Sequence, residues 1–135
     1  MLRFSYLPSD FNPMLLVLGD QPNLRAFAGW LRVAARDGDM RHLEAAPFCR
    51  PGDTSVALEL TARSEGLVVA SSHDKRLTWR VETAHALAFA DLVDALIAGG
   101  RRSGSDALVC GLVGEIPVKV SHGEFTDDFL VSNFP

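Results

Sequence analysis

Between Val120 and Leu130 the chain reads VSHGEFTDDFL, which places one imidazole, His122, and three carboxylates, Glu124, Asp127 and Asp128, within a single turn-sized stretch. An imidazole with carboxylates is a donor set for zinc, manganese or iron, and the same groups can carry protons in acid–base chemistry. Two features of the sequence argue against that use. The spacing matches no recognised metal-ligand motif, and the groups reach one ion only if the chain folds back at Gly123. Alternation along a strand puts Val118, Val120 and His122 on one face and Lys119 and Ser121 on the other, so Ser121 and His122 do not form a nucleophile and its base. A structural reading explains the same residues with less. Gly123 permits a bend, Thr126 caps a short helical turn with Asp127 and Asp128 in its first positions, and Phe129, Leu130 and Phe134 dock on the core. The favoured functional reading of this segment is a partner-binding surface made of Glu124, Phe125, Asp127, Asp128, Phe129 and Phe134. The alternative is a small metal-dependent hydrolase that uses His122, Glu124 and Asp127.

The other histidines are scattered. His85 falls one turn before Phe89, beside the apolar stripe of a helix, where a lone imidazole is usually a hydrogen-bonded boundary residue. His73 with Asp74 lies in a hairpin turn, and His42 with Glu44 in an irregular connection. The Gly19–Asp20 junction between an apolar run and a helix has the outline of a phosphate site, yet it has one glycine, no following Lys-Ser/Thr and a carboxylate facing the place of the anion. It reads as a capped helix. No Gly-x-Ser-x-Gly, His-Glu-x-x-His, P-loop or Cys-x-x-Cys pattern is present. No cofactor is expected.

The elements that must position these residues follow from periodicity. Leu2, Phe4 and Tyr6 alternate with polar residues as in a half-buried strand, and Met14–Leu18 is a continuous apolar run, as in a strand covered on both faces. Leu24, Phe27, Ala28, Leu31 and Ala35 then share one helical face, opened by Asp20 and Pro22 and closed by Gly38. Residues 39–53 read as an irregular connection. Thr54–Ala62, Gly66–Ser71 and the alternating Leu77, Trp79 and Val81 predict an antiparallel meander. Thr83 is positioned to cap a second helix with Phe89, Leu92, Val93, Leu96 and Ile97 on its apolar side. Ala107–Leu112 and Ile116–Ser121 predict a closing hairpin around Gly114, with Pro117 favouring an edge strand. No internal repeat is visible. The order β-β-α-β-β-β-α-β-β predicts one α+β domain, residues 1–135, with a mainly antiparallel sheet and two helices on one face. Trp30 and Trp79 are expected in or near the core.

Composition narrows the classes. A chain of 135 residues with 47% hydrophobic and 22% charged residues can build one core. A net charge of −4 without a Lys/Arg run excludes a nucleic-acid binder that works by phosphate neutralisation, since Arg101–Arg102 stands alone in a Gly/Ser-rich loop. No signal peptide or membrane span is expected, so a cytoplasmic location follows, in which Cys49 and Cys110 read as small buried hydrophobes, with a disulfide between them left open by the sequence. A mean hydropathy of +0.12 favours some apolar surface and self-association.

The ending GEIPVKVSHGEFTDDFL, with Trp79 followed by a helix, resembles a group of small uncharacterised bacterial proteins, and more remotely immunity-type proteins that neutralise a toxin by binding it. The resemblance implies a bacterial, cytoplasmic protein with a binding role and carries no functional residue. Together these readings predict a non-catalytic protein–protein interaction module, acting as a homodimer or as the stoichiometric partner of another protein.

Overall fold

The computed structural model describes residues 1–135 apart from 10–11, 72, 101–102 and 124–135. Among them are eight strands and two long helices in an α+β arrangement: β1 (Arg3–Leu7), β2 (Met14–Gly19), α1 (Gln21–Asp37), β3 (Arg41–His42), β4 (Ser55–Leu60), β5 (Gly66–Ser71), β6 (Arg76–Val81), α2 (Thr83–Ile97), β7 (Gly104–Leu108) and β8 (Val118–His122). The order matches the expectation from periodicity, with the two-residue β3 added inside the connection read as irregular. No described helix is long and apolar enough to cross a membrane.

The strands form two four-stranded sheets, ordered β1-β2-β8-β7 and β3-β4-β6-β5. Each has a parallel pair at its centre, β2 with β8 and β4 with β6, flanked by antiparallel edges. The expected meander is thereby corrected. β5 and β6 make the hairpin, but β4 lies beside β6, and β5 is pushed to the edge. Local turn signals fix only the hairpin; which strand takes the remaining edge of β6 is a long-range choice. Pro117 likewise stands immediately before a central strand, where its carbonyl accepts the Leu15 N–H at 3.1 Å. Its missing N–H is harmless there because the ladder of β8 begins one residue later.

α1 starts as its sequence dictates. The Asp20 carboxylate accepts the Asn23 N–H at 3.1 Å, Pro22 occupies the first turn, and Gly38 closes the helix in the left-handed conformation, φ 75°. α2 begins at Thr83 with Glu82, not Thr83, as its cap residue. Leu24, Phe27, Ala28, Leu31 and Ala34 of α1 are buried, as are Ala86, Phe89, Ala90, Val93, Leu96 and Ile97 of α2. Leu92, expected on the apolar stripe, is exposed instead, because the small residues Ala86 and Ala90 form the buried face and rotate it outward. Trp79 lies in the core between Phe27 and Phe89, with ring centroids at 6.5 and 5.5 Å. On the other face of β2, Leu16 and Leu18 are also buried with Leu7, so this strand is covered on both sides.

The two halves repeat one another. Sixty-two positions separate Leu24, Phe27, Ala28, Leu31 and Ala34 from Ala86, Phe89, Ala90, Val93 and Leu96, and the same offset takes the cap Asp20 to Glu82. It also takes the paired Leu15 and Val118 onto Leu77 and Val56, which are paired in the other sheet. The chain is therefore two β-β-α-β-β units around a pseudo-two-fold axis between α1 and α2. Arg32 reaches across to Asp94, its own counterpart, at 2.6 Å, and to Asp91 at 2.8 Å. Residues 14–38 and 76–100 share only Leu15/Leu77, Ala26/Ala88, Phe27/Phe89, Ala28/Ala90 and Gly38/Gly100, which is why the repeat is not visible in the sequence.

Candidate functional site

The sequence-based candidates divide sharply. His122 ends the central strand β8 beside Gly19 and is 8% exposed, with no hydrogen bond to its Nδ1. Glu124, Phe125, Asp127, Asp128, Phe129 and Phe134 lie outside the described residues, as do Thr126 and Arg101–Arg102. Among the described residues no three His, Cys, Asp or Glu side chains are grouped to hold a metal ion. His42 pairs with Glu44 at 3.3 Å, while the other Glu44 oxygen accepts the Val56 N–H at 2.9 Å, so this pair ties the connection to β4. His73 is exposed in its turn.

A polar cluster that motif reading missed gathers at the start of α2. Ser64 Oγ accepts the Glu82 N–H at 2.8 Å and hydrogen-bonds His85 Nδ1, and the Glu82 carboxylate lies 3.4 Å from the same hydroxyl. Serine, histidine and carboxylate are the components of a hydrolytic triad, but the wiring differs. A triad histidine holds the acid on one ring nitrogen and the nucleophile on the other. Here Glu82 Oε2, at 3.5 Å, and Ser64 both address Nδ1, so the acid cannot orient the ring for proton removal from the hydroxyl. The cluster is a tertiary cap: Ser64 satisfies an amide at the opening of α2 that the Glu82 side chain leaves unbonded. Cys110, next to Ser64, is held in its thiol form near neutral pH. Burial, with the nearby Glu115 and Glu82 carboxylates adding to it, pushes its thiol up to about 11, against the lowering effect of Ser64.

Above this cap sits the β7–β8 connection, and its organiser is Glu115. One carboxylate accepts three successive backbone amides, Cys110 N at 2.6 Å, Gly111 N at 2.9 Å and Leu112 N at 3.0 Å. Gly111 and Gly114 supply the positive φ values, 87° and 74°, that let the chain wrap one side chain. Gly66 completes the seat: a β-carbon there would lie 3.0 Å from Glu115 Cγ, and its φ of 78° independently favours glycine. The antiparallel bridge between Leu67 and Ile116 fixes the loop to β5. The result is a pre-ordered loop that turns apolar side chains outward. Val113 is fully exposed, Val109 and Leu112 are each 43% exposed, and Val68 of β5 is exposed as well.

No family model matches the chain, and neither a curated protein nor a solved structure matches it. The chemistry of this surface must therefore be read from its own residues. What it offers is apolar area on a backbone in which the amides of Cys110, Gly111 and Leu112 are already bonded.

Proposed function

We propose that the protein is a non-catalytic protein-binding module, bacterial and cytoplasmic, which associates with a second copy or a stoichiometric protein partner through the 109–115 loop and the adjoining face of β5. The observation that carries this reading is the triple amide cradle of Glu115, which holds Leu112 and Val113 in solvent. Ordering a flexible loop at an interface costs binding energy, whereas a loop fixed in advance keeps most of the gain from burying its apolar groups. A few such anchors carry most of the affinity in typical interfaces. The net charge of −4 supports a protein over a nucleic-acid partner and favours association with a basic surface.

Sedimentation velocity across a concentration series is the direct test. The expected result is reversible self-association that Val113→Asp and Leu112→Asp abolish without lowering the melting temperature. A dimer indifferent to both changes but lost in Phe129→Ala or Phe134→Ala moves the surface to the C-terminal segment named from sequence. A monomer at every concentration removes the homodimer form. The heteromeric form then fails if no isolated partner binds the wild type more tightly than Val113→Asp.

A further inference from the structure

β2 buries an apolar face on the side turned away from the helices, although no described helix packs there. Leu15 and Val17 share the common core with the buried side chains of α1 and α2, whereas Leu16 and Leu18 point the other way and join only Leu7 and Met14. Leu16 is 2% exposed and Leu18 1%. Their ladder neighbours on that face are Ser5 and Lys119 for Leu16, and Arg3 and Ser121 for Leu18; Ser121 is buried too. Neighbouring strands shield the flanks of a side chain and leave its top open, so a further layer lies over this face.

The other half shows the same face without a cover. The offset that relates the halves takes Leu16 and Leu18 to Thr78 and Arg80, which are half-buried, and Arg80 pairs with Glu59 and Glu65 at 3.3 Å. A sheet with one face in water alternates apolar and polar residues; β6 does so and β2 does not. The place of Leu18 narrows the choice of cover. The β1–β2 connection leaves from Leu7 and Met14, at the far end of β2, whereas Leu18 stands at the end where Gly19 pairs with His122. There the chain leaves β8 through Gly123, whose φ of 72° breaks the strand direction.

Residues 124–135 follow, and they carry Phe125, Phe129, Leu130, Val131 and Phe134. Twelve extended residues reach about 40 Å, twice the roughly 20 Å that the six residues of β2 span. Arg3 and Lys119 border the face and are themselves engaged. Their charge favours an acidic cover over a basic one, and the segment brings Glu124, Asp127 and Asp128 with no lysine or arginine.

We propose that the face of Leu16 and Leu18 is the docking site of residues 124–135 of the same chain, seated through their aromatic side chains. Tethering beside Leu18 gives the segment an effective concentration of about millimolar, an advantage over the same segment of a second copy. The phenylalanines read from the sequence as a partner surface thereby serve the protein's own sheet. The site uses no residue of the 109–115 loop, so either assignment can fail without the other.

The test is a nuclear Overhauser measurement on the full chain with ¹³C-labelled leucine methyls. The expected result is contact between the methyls of Leu16 or Leu18 and a ring of Phe125, Phe129 or Phe134, absent from a spectrum filtered for contacts between labelled and unlabelled chains. Contacts seen only between chains would put a second copy's segment on the face and overturn the proposal, as would methyls that touch no ring of the segment. Leu16→Thr with Leu18→Arg, the residue types of the other half, should speed chymotrypsin cleavage after Phe129 by about 10–100-fold, the shift in open population for losing one buried apolar side chain, with cleavage after the buried Trp79 unchanged. Equal rates after Phe129 overturn it. Should that pair unfold the chain, Phe129→Asp leaves the sheet intact and must raise binding of the apolar-surface dye ANS; unchanged dye binding refutes the docking. Val113→Asp, which tests the loop, should alter none of these readouts.

Discussion

Replacing Glu115 by alanine tests whether one carboxylate orders the 109–115 loop. The side chain accepts from Cys110, Gly111 and Leu112 at 2.6, 2.9 and 3.0 Å. A buried hydrogen bond to a charged group contributes about 1.5–3 kcal/mol. Gly111 and Leu112 are exposed, so water takes over their amides and each net loss falls to about 0.5 kcal/mol. The Cys110 amide, beside a half-buried thiol, is less easily resolvated and keeps most of its share. The expected total is about 2–4 kcal/mol, read as a lower urea midpoint with an unchanged slope. Hydrogen exchange localises it: the three amides should lose protection while those of β4 and β6 retain theirs. Glu115→Gln, which keeps an acceptor but loses the charge, should fall between wild type and alanine. Cys110 gives a second readout. Burial is the main cause of its raised pKa and Glu115 adds to it, so the alkylation profile of this thiol should move to lower pH in Glu115→Ala. If the three amides exchange at wild-type rates in the alanine variant, the carboxylate does not order the loop and the argument for a pre-formed binding surface fails.

Trp79→Ala should cost about 3–5 kcal/mol by chemical denaturation, because it empties the stack between Phe27 and Phe89; a loss below about 1 kcal/mol would place the indole outside the core. Burial first, then the Glu44 carboxylate, pushes the Cys49 thiol up to about 12, so iodoacetamide near neutral pH should label it only on unfolding, and rapid labelling of the native protein would contradict its burial. This raised value favours the folded state fully below the ordinary thiol range, and the contribution is lost as pH rises from about 9 towards 12, so stability should fall across that window in wild type and less in Cys49→Ala. Asp53 is depressed by the Lys75 ammonium at 3.0 Å; its contribution is present above the ordinary carboxylate pKa and disappears as pH falls through the folded value. The pair is exposed enough that Asp53→Asn should change stability by less than about 1 kcal/mol near neutral pH, with the difference from wild type vanishing in acid.

Periodicity made the elements legible. The caps and faces of α1, the doubly covered β2 and the β5–β6 hairpin all follow from contacts within a few residues of one another. Sheet membership did not follow, because it depends on pairings such as Leu15 with Val118, for which the sequence carries no local mark. The site divides in the same way. His122 drew attention through its acidic neighbours, yet what distinguishes it is a buried, unbonded ring nitrogen at the end of a parallel pair. The Ser64–Glu82–His85 cap is spread over 22 positions with no motif spacing, and Glu115 appeared only as one carboxylate in a turn. One signal in the sequence was available and passes unnoticed without a second half to align: Ala26-Phe27-Ala28 recurs as Ala88-Phe89-Ala90, each time about two turns after a cap.

Joining the two units in one chain is what allows their ends to diverge. In a symmetric pair of separate units, residue 32 would face its own kind across the axis, and two guanidiniums would repel. Here the counterpart of Arg32 is Asp94, and the contact becomes an ion pair. The same freedom operates at the ends of the parallel strands, where one half has a serine cap over leucine and the other an open cleft over histidine. The halves remain one body because each sheet takes two strands from each unit: β2 needs β8, and β6 needs β4. Neither unit can unfold without removing the central partner of both sheets. A loop or cleft on one half therefore rests on the stability of the whole core, and its surface residues can change with little consequence for the fold that presents them.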